Sequence, residues 1–298
     1  MLSSFTLGTA QLGMQYGIAN KLGKLDSIQA FKVLDEAIKH GIKSFDTAAG
    51  YGDSEKLLGE YFFKRNLDYD IEIITKLDVL ITDPNIKKDL AIKKAENSIK
   101  RSLDRLKINN IPVLLFHRYN DLMWQNHIII DYLKKKDYLK KIGVSVYTPD
   151  EALTAMQVNG ISVIQIPTNL LDLRFIKKGV FDIAKKKGIQ IYIRSIFLQG
   201  LILINIDDIP SFLNDGKIYI KQLKKLCNNK MHELTFSFLK SIKGNVNIII
   251  GCECPEQVKE NIEILKCSTV MSNEQQKKIF EINSGLSETI INPALWNK

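Results

Sequence analysis

The stretch Phe5-Thr-Leu-Gly-Thr-Ala-Gln-Leu-Gly13 decides between two folds. It reads as a short apolar strand running into a turn. At this place an open, doubly wound sheet carries Gly-x-Gly-x-x-Gly, whose glycines let the backbone close on a pyrophosphate. Gly8 and Gly13 do not have that spacing. Outward from this strand the chain alternates between the period of a strand and that of a helix. Strands are expected over 5–10, 44–47, 71–75, 112–116, 142–144, 163–166, 189–193 and 247–250. Helices are expected over 27–40, 54–63, 86–106, 125–137, 149–157, 177–187, 255–265 and 273–283, with one or two more in 218–242. Asp26 is placed to cap the first of these, and Gly41, Gly188 and Gly244 fall where helices should end. Eight strand–helix units with no Pro-, Gly- or Ser-rich linker between them predict a (β/α)8 TIM barrel of the α/β class. It is expected to span residues 1–298 as a single domain.

Composition fits that reading. The 298 residues leave room for two domains, at about 150 residues each, but the unbroken alternation does not use it. Hydrophobic residues make up 45% and charged residues 25%, which excludes a disordered chain, a collagen-like repeat and a coiled coil. The apolar runs 113–116 and 248–250 fall far short of a membrane span, which needs about 18 residues or more. Residues 1–8 lack the charged and apolar segments of a secretory leader, so a cytoplasmic protein is expected. Lys and Arg outnumber Asp and Glu by 42 to 33, a net charge of +9. The runs Lys134–Lys136, Lys177–Lys178 and Lys185–Lys187 read as solvated helix faces, and no nucleic-acid-binding motif accompanies them. Cys227, Cys252, Cys254 and Cys267 form no C-x-x-C pair, so reduced thiols and no metal are expected.

In such a barrel the chemistry stands at the C-terminal ends of the strands. The second strand ends at Asp46, with Tyr51 in the loop behind it. The next five end at Lys76, at His117, at Ser145, near Gln165 and at Arg194-Ser195. Singly, each has an ordinary reading: an aspartate that caps a helix, a surface lysine, a core histidine. Together, around one mouth, they suggest chemistry. A buried Lys76–Asp46 pair would satisfy both charges. A cation near Tyr51 would draw its pKa down from about 10 and make the phenol a general acid. His117 could donate to the same carbonyl oxygen.

The segment Phe45-Asp-Thr-Ala-Ala-Gly-Tyr-Gly-Asp-Ser-Glu55, followed in order by Lys76 and His117, resembles the aldo-keto reductase superfamily, and the resemblance runs over nearly the whole chain. It implies NAD(P)H-dependent reduction of an aldehyde or ketone to the alcohol. Asp46, Tyr51, Lys76 and His117 would be the catalytic tetrad, with Tyr51 as proton donor. Gly8, Thr9, Ala10 and Asp46 would touch the cofactor, and Ser145 and Gln165 would hold the nicotinamide carboxamide. The segment from Ser195 through Phe197, Gln199 and Gly200 would wrap the pyrophosphate. Gly251, Glu253, Gln257, Glu260 and Asn261 would form the adenosine site. Val146 stands where the family commonly has Asn. Arg194 stands where many members place an aromatic ring against the nicotinamide, and a guanidinium plane can stack there instead. NADPH-selective members usually carry a cation where this chain has Glu253. A carboxylate repels a 2′-phosphate but accepts from a ribose hydroxyl. NADH or dual use is therefore expected, unless Lys259 compensates and NADPH is held.

Substrate choice belongs to the loops. Tyr16, Arg118, Trp124 and Arg174 are the candidate substrate residues. Arginine pairs well with phosphate or carboxylate. Arg118 and Arg174 therefore suggest an anionic carbonyl compound such as a phosphorylated or nucleotide-linked sugar, unless they pair with Asp121 and Asp172. The stretch Gly8–Asn20 resembles members from bacterial carbohydrate pathways. Two other functions suit a barrel with these residues. A nucleotide-sensing regulatory protein would have no use for the tetrad. A Schiff-base enzyme built on Lys76 would leave the Asp46–Tyr51 spacing unexplained. The sequence carries no signal for oligomeric state.

Overall fold

The computed structural model describes residues 5–66 and 70–296. The first four residues of the leader reading, and both ends of the 1–298 domain reading, lie outside the described residues. Eight parallel strands close into a barrel: β1 (Phe5–Gly8), β2 (Ser44–Asp46), β3 (Glu72–Lys76), β4 (Ile111–Phe116), β5 (Leu139–Ser145), β6 (Ile161–Pro167), β7 (Gln190–Arg194) and β8 (Val246–Gly251). The ring closes at Gly8, which is in register with Asp46 of β2 on one side and Gly251 of β8 on the other. Helices lie between successive strands, so the expected (β/α)8 barrel is the observed fold.

Residues two apart on a strand share a face. Ile74, Val113, Leu115, Val163, Tyr192 and Ile249 form a separate cluster inside the barrel. The alternate residues Phe45, Ile73, Leu114, Ile164 and Ile191 belong to the larger core between sheet and helices. Each Leu or Ile so buried stabilises by about 1.5–3 kcal/mol. Moving two residues along from the inner cluster gives Lys76 after Ile74, His117 after Leu115, Gln165 after Val163 and Arg194 after Tyr192. The polar residues are thus the next inward layer, placed by strand register.

The helix Ser27–Lys39 starts at Asp26 as expected. Its carboxylate accepts from the Gln29 N–H at 2.8 Å, and the Gln29 side chain accepts from the Asp26 N–H. Elsewhere helices are more broken than the periodicity suggests. In place of 125–137 stand Tyr119–Met123 and Ile128–Leu133, because Gln125, Asn126 and His127 take φ of 44°, 54° and 69°. Arg174–Lys177 and Val180–Lys187 are parted by Gly179 at φ 67°. Lys217–Leu226 and Met231–Ser241 are parted by Asn228 and Asn229, at φ 49° and 66°. Asn, His and Gly enter the left-handed region at least cost. The apolar spacing continues across each break, so the pattern reads through it.

Lys134, Lys135, Lys177, Lys178 and Lys185–Lys187 are exposed, as expected of solvated faces. The four cysteines are free. No described helix is long and apolar enough to cross a membrane.

Candidate active site

β2 and β3 bring Asp46 and Lys76 side by side at the mouth, both almost fully buried. Lys76 Nζ donates to each Asp46 carboxylate oxygen at 2.8 Å and to the Thr47 carbonyl at 2.8 Å. Three acceptors for three N–H groups is what a buried ammonium requires. Burial pushes the Lys76 pKa down, and Asp46 works against that shift. From β6, Gln165 Nε2 donates to Asp46 Oδ1 at 2.7 Å.

The loop after β2 carries Tyr51 over this pair. Lys76 Nζ lies 4.7 Å from the centroid of the Tyr51 ring, and His117 meets that ring edge-on at 5.8 Å. Two features fix the loop. Gly13 presses against it so closely that a Cβ there would fall 1.9 Å from the Tyr51 carbonyl oxygen. Buried Ser54 accepts from Thr47 Oγ1 at 2.8 Å and donates to the Thr9 carbonyl at 3.0 Å.

Protonation follows from these contacts. Burial and the Asp46 charge push the Tyr51 phenol above its ordinary range, against a smaller opposing pull from Arg194. This corrects the expectation of a phenol drawn toward neutrality. The Lys76 charge is engaged by Asp46 and Thr47 and stands over the ring face, so lost hydration dominates. Tyr51 therefore keeps its proton at neutral pH. Burial, Lys76 and Arg194 push His117 down to about 4, so its imidazole is neutral there. Among the described residues, neither the Tyr51 hydroxyl nor the His117 ring has a hydrogen-bond partner.

Tyr51 and Asp46 line a cleft of about 360 Å³. Gly8, Thr9, Ala10, Tyr16, Arg194, Ser195, Phe197, Gln199 and Gly200 share its wall with Gly251, Glu253, Gln257, Glu260 and Asn261. Ser195, Leu198, Gln199 and Gly200 all take positive φ, from 49° to 92°. The Gln199 carbonyl accepts from the N–H groups of Ile18 and Ala19 at 3.1 and 3.4 Å, which straps the loops after β1 and β7 together. On the β8 side, Asn261 Oδ1 is buried without a partner among the described residues. Glu253 is half-buried, and burial raises its pKa. Two acceptors that need donors suit the hydroxyls and amino group of a nucleoside, so the residues present fit a dinucleotide. Lys259 is exposed and stands 4.0 Å from Glu263, away from the cleft wall.

The sequence profile of the aldo/keto reductase family matches residues 4–284. The chain belongs to this family. It is an NAD(P)-dependent oxidoreductase with the family's barrel. It is 24% identical over 304 aligned residues to the NADH-specific methylglyoxal reductase of Escherichia coli (strain K12), covering 89% of this chain and 90% of that one. It is 23% identical over 276 residues to an uncharacterised oxidoreductase of Bacillus subtilis (strain 168), covering 86% and 89%. Among solved structures, an aldo-keto reductase from Bacillus halodurans matches with a TM-score of 0.74 at 19% identity, over 96% of this chain and 94% of that one. A glycerol dehydrogenase from Gluconobacter oxydans matches at 0.70 and 18%, over 96% and 94%.

In this reductase three of the four candidate substrate residues lie off the cleft wall. Arg118 donates to the Ile81 carbonyl at 2.9 Å and stands 3.5 Å from Asp121. Arg174 is paired with Asp172 at 2.9 Å and with Glu288 at 2.7 Å. Both guanidinium groups clasp loops, which corrects their reading as receptors for an anionic substrate. Trp124 packs against the hydrophobic core. Tyr16 does line the cleft, its phenol pushed up to about 12 mainly by burial. Ser145 is buried at the end of β5 and is not among the residues that line the cleft. The sequence reading missed Gln11, Gly17, Ala19 and His232. Gln11 follows β1 so closely that its place near the mouth was available as a signal. His232 sits in the helix Met231–Ser241, far from any strand end in sequence, and on the cleft wall its ring meets Phe197 edge-on at 5.2 Å.

Proposed function

We propose that this protein is a single-domain barrel over 1–298 that reduces an aldehyde or ketone to the alcohol, with NADH as the preferred cofactor. The observation that carries the reading is the buried Lys76–Asp46 pair beneath a protonated Tyr51 whose hydroxyl has no hydrogen-bond partner among the described residues. When bound, the cofactor supplies the hydride that adds to the carbonyl carbon. Tyr51 gives its proton to the carbonyl oxygen. Lys76 stabilises the negative charge left on the phenol, and Asp46, held by Gln165, keeps Lys76 in place. Neutral His117 offers an N–H to the same oxygen and orients it.

Gly8, Thr9, Ala10 and the segment from Ser195 to Gly200 would hold the nicotinamide and pyrophosphate portions. Gly251, Glu253, Gln257, Glu260 and Asn261 would hold the adenosine. Support for NADH comes from Glu253 on the wall, from Lys259 turned away, and from the NADH-specific relative. A Schiff-base role for Lys76 fits less well, since all three of its N–H groups are engaged.

The test is NADH oxidation over a panel of aldehydes and ketones, in the wild type and in Tyr51→Phe. The variant is expected to bind NADH normally and to lose about 10²–10⁴-fold in turnover. Undiminished turnover would remove Tyr51 from its role. Tight NADH binding with no carbonyl consumed by the wild type would favour a nucleotide sensor.

A further inference from the structure

Three arginines stand at or beside the mouth, and two of them are neutralised. Arg118 has Asp121 and Arg174 has Asp172 and Glu288. Arg194 differs. It is half-buried on the cleft wall, yet among the described residues no carboxylate lies within 4.0 Å of it. Its Nη2 donates to the Val146 carbonyl at 3.1 Å and its Nη1 to Ser195 Oγ at 3.4 Å. One face of the guanidinium covers the Tyr147 ring, 4.4 Å from its centroid. These contacts hold the plane still and leave other N–H groups of the five free to donate.

The location of this charge is informative. Arg194 acts electrostatically on Tyr51, Tyr16, Lys76 and His117. Arg194 and Tyr51 line the same cleft, so the cation stands within electrostatic reach of the phenol. Lys76 has no N–H left to donate to an incoming anion there, because Asp46 and Thr47 take all three. A half-buried cation without a counter-ion favours binding an anion, and a fixed guanidinium favours a planar one.

We propose that Arg194 is a specificity-determining residue that binds a carboxylate carried by the carbonyl substrate, so that the preferred substrates are oxo acids or acidic sugars. This rests on the reductase reading above and names the substrate class of that same site. Arg194 takes over the part that the sequence suggested for Arg118 and Arg174. The other possible source of the anion is the cofactor's pyrophosphate, and the experiment separates the two.

Wild type and Arg194→Gln are compared on succinic semialdehyde and on butanal, which differ in the carboxylate. NADH affinity is measured by nicotinamide fluorescence. Oxamate and its neutral counterpart oxamide are titrated into the NADH-loaded proteins by calorimetry, which needs no turnover. The wild type should favour the acidic aldehyde in kcat/KM and bind oxamate but not oxamide. Arg194→Gln should lower the acidic-to-neutral ratio by about 30-fold, mainly through KM, and abolish oxamate binding. A ratio unmoved by the substitution overturns the proposal. So does a loss of NADH affinity of about 10-fold or more with that ratio unchanged, which would place the pyrophosphate on Arg194. If no carbonyl is reduced by the wild type, the reductase reading fails, and oxamate binding that disappears in Arg194→Gln still supports the anion site. Absence of oxamate binding by the wild type overturns that site as well.

Discussion

The two ends of the barrel hold polar groups of the same kinds and treat them in opposite ways. At the N-terminal end, Tyr192 donates to Glu72 at 2.6 Å, Ser44 donates to Glu72 at 3.2 Å and Thr6 donates to Ser44 at 2.9 Å. Lys141 completes the set, 3.4 Å from Glu72. Each group there has a protein partner, and the Tyr192 pKa is raised by burial and by its hydrogen bond to Glu72. At the C-terminal end Lys76 and Asp46 are as well satisfied, but Tyr51 and His117 lie above them with hydrogen-bonding capacity unspent. A closed polar network stabilises a fold. An open one, facing a cleft and standing on a closed one, is arranged to act on something else.

The largest effect should come from cutting the closed pair at the mouth. Lys76→Met leaves the Asp46 carboxylate buried without its cation and should destabilise by about 3–5 kcal/mol in urea unfolding while abolishing carbonyl reduction. Little change in stability would mean that Asp46 reaches water. The same operation at the other end should separate stability from function. Glu72→Gln should cost about 1–2 kcal/mol and leave kcat/KM where it was. A fall in kcat/KM would show that the two ends are coupled.

The third test uses pH. The folded pKa of His117, about 4, lies below its ordinary 6.5, so between those values the unfolded chain takes up a proton that the folded chain refuses. Its contribution is fully present above 6.5 and is lost as pH falls toward 4, at no more than about 1.4 kcal/mol per pH unit. Urea melts at about pH 7 and about pH 5 should show a smaller loss in His117→Asn than in the wild type. An equal loss would put His117 in contact with water. The smallest effect is expected at the β8 side of the cleft. Removing the charge in Glu253→Gln should shift nucleotide preference toward NADPH by about 1 kcal/mol, roughly fivefold, in fluorescence titrations. An unchanged ratio would place the 2′ position away from Glu253.

Much of this was readable in the chain. Alternating periods and the missing glycine spacing after β1 were enough for the barrel, because strand and helix patterning is local. The ends of β2, β3, β4 and β7 supplied Asp46, Lys76, His117 and Arg194, because inward residues recur every second position and the mouth is where strands stop. Breaks at His127, Gly179 and Asn229 were hidden, since a left-handed residue leaves the apolar spacing on either side intact.

Residue types, their order and the strand ends on which they sit were thus determined by the sequence alone. Tertiary structure decided which charges find partners. Arg118, Arg174 and Arg194 are alike in sequence, but only packing brings Asp121, Asp172 and Glu288 to the first two and leaves the third facing the cleft. The Tyr51 proton was settled in the same way. A lysine at the right strand end predicts a lowered phenol pKa, whereas in the folded barrel that lysine's charge is engaged by Asp46 and burial keeps the phenol protonated. Hydration and pairing depend on neighbours distant in sequence, so they are fixed only when the barrel closes.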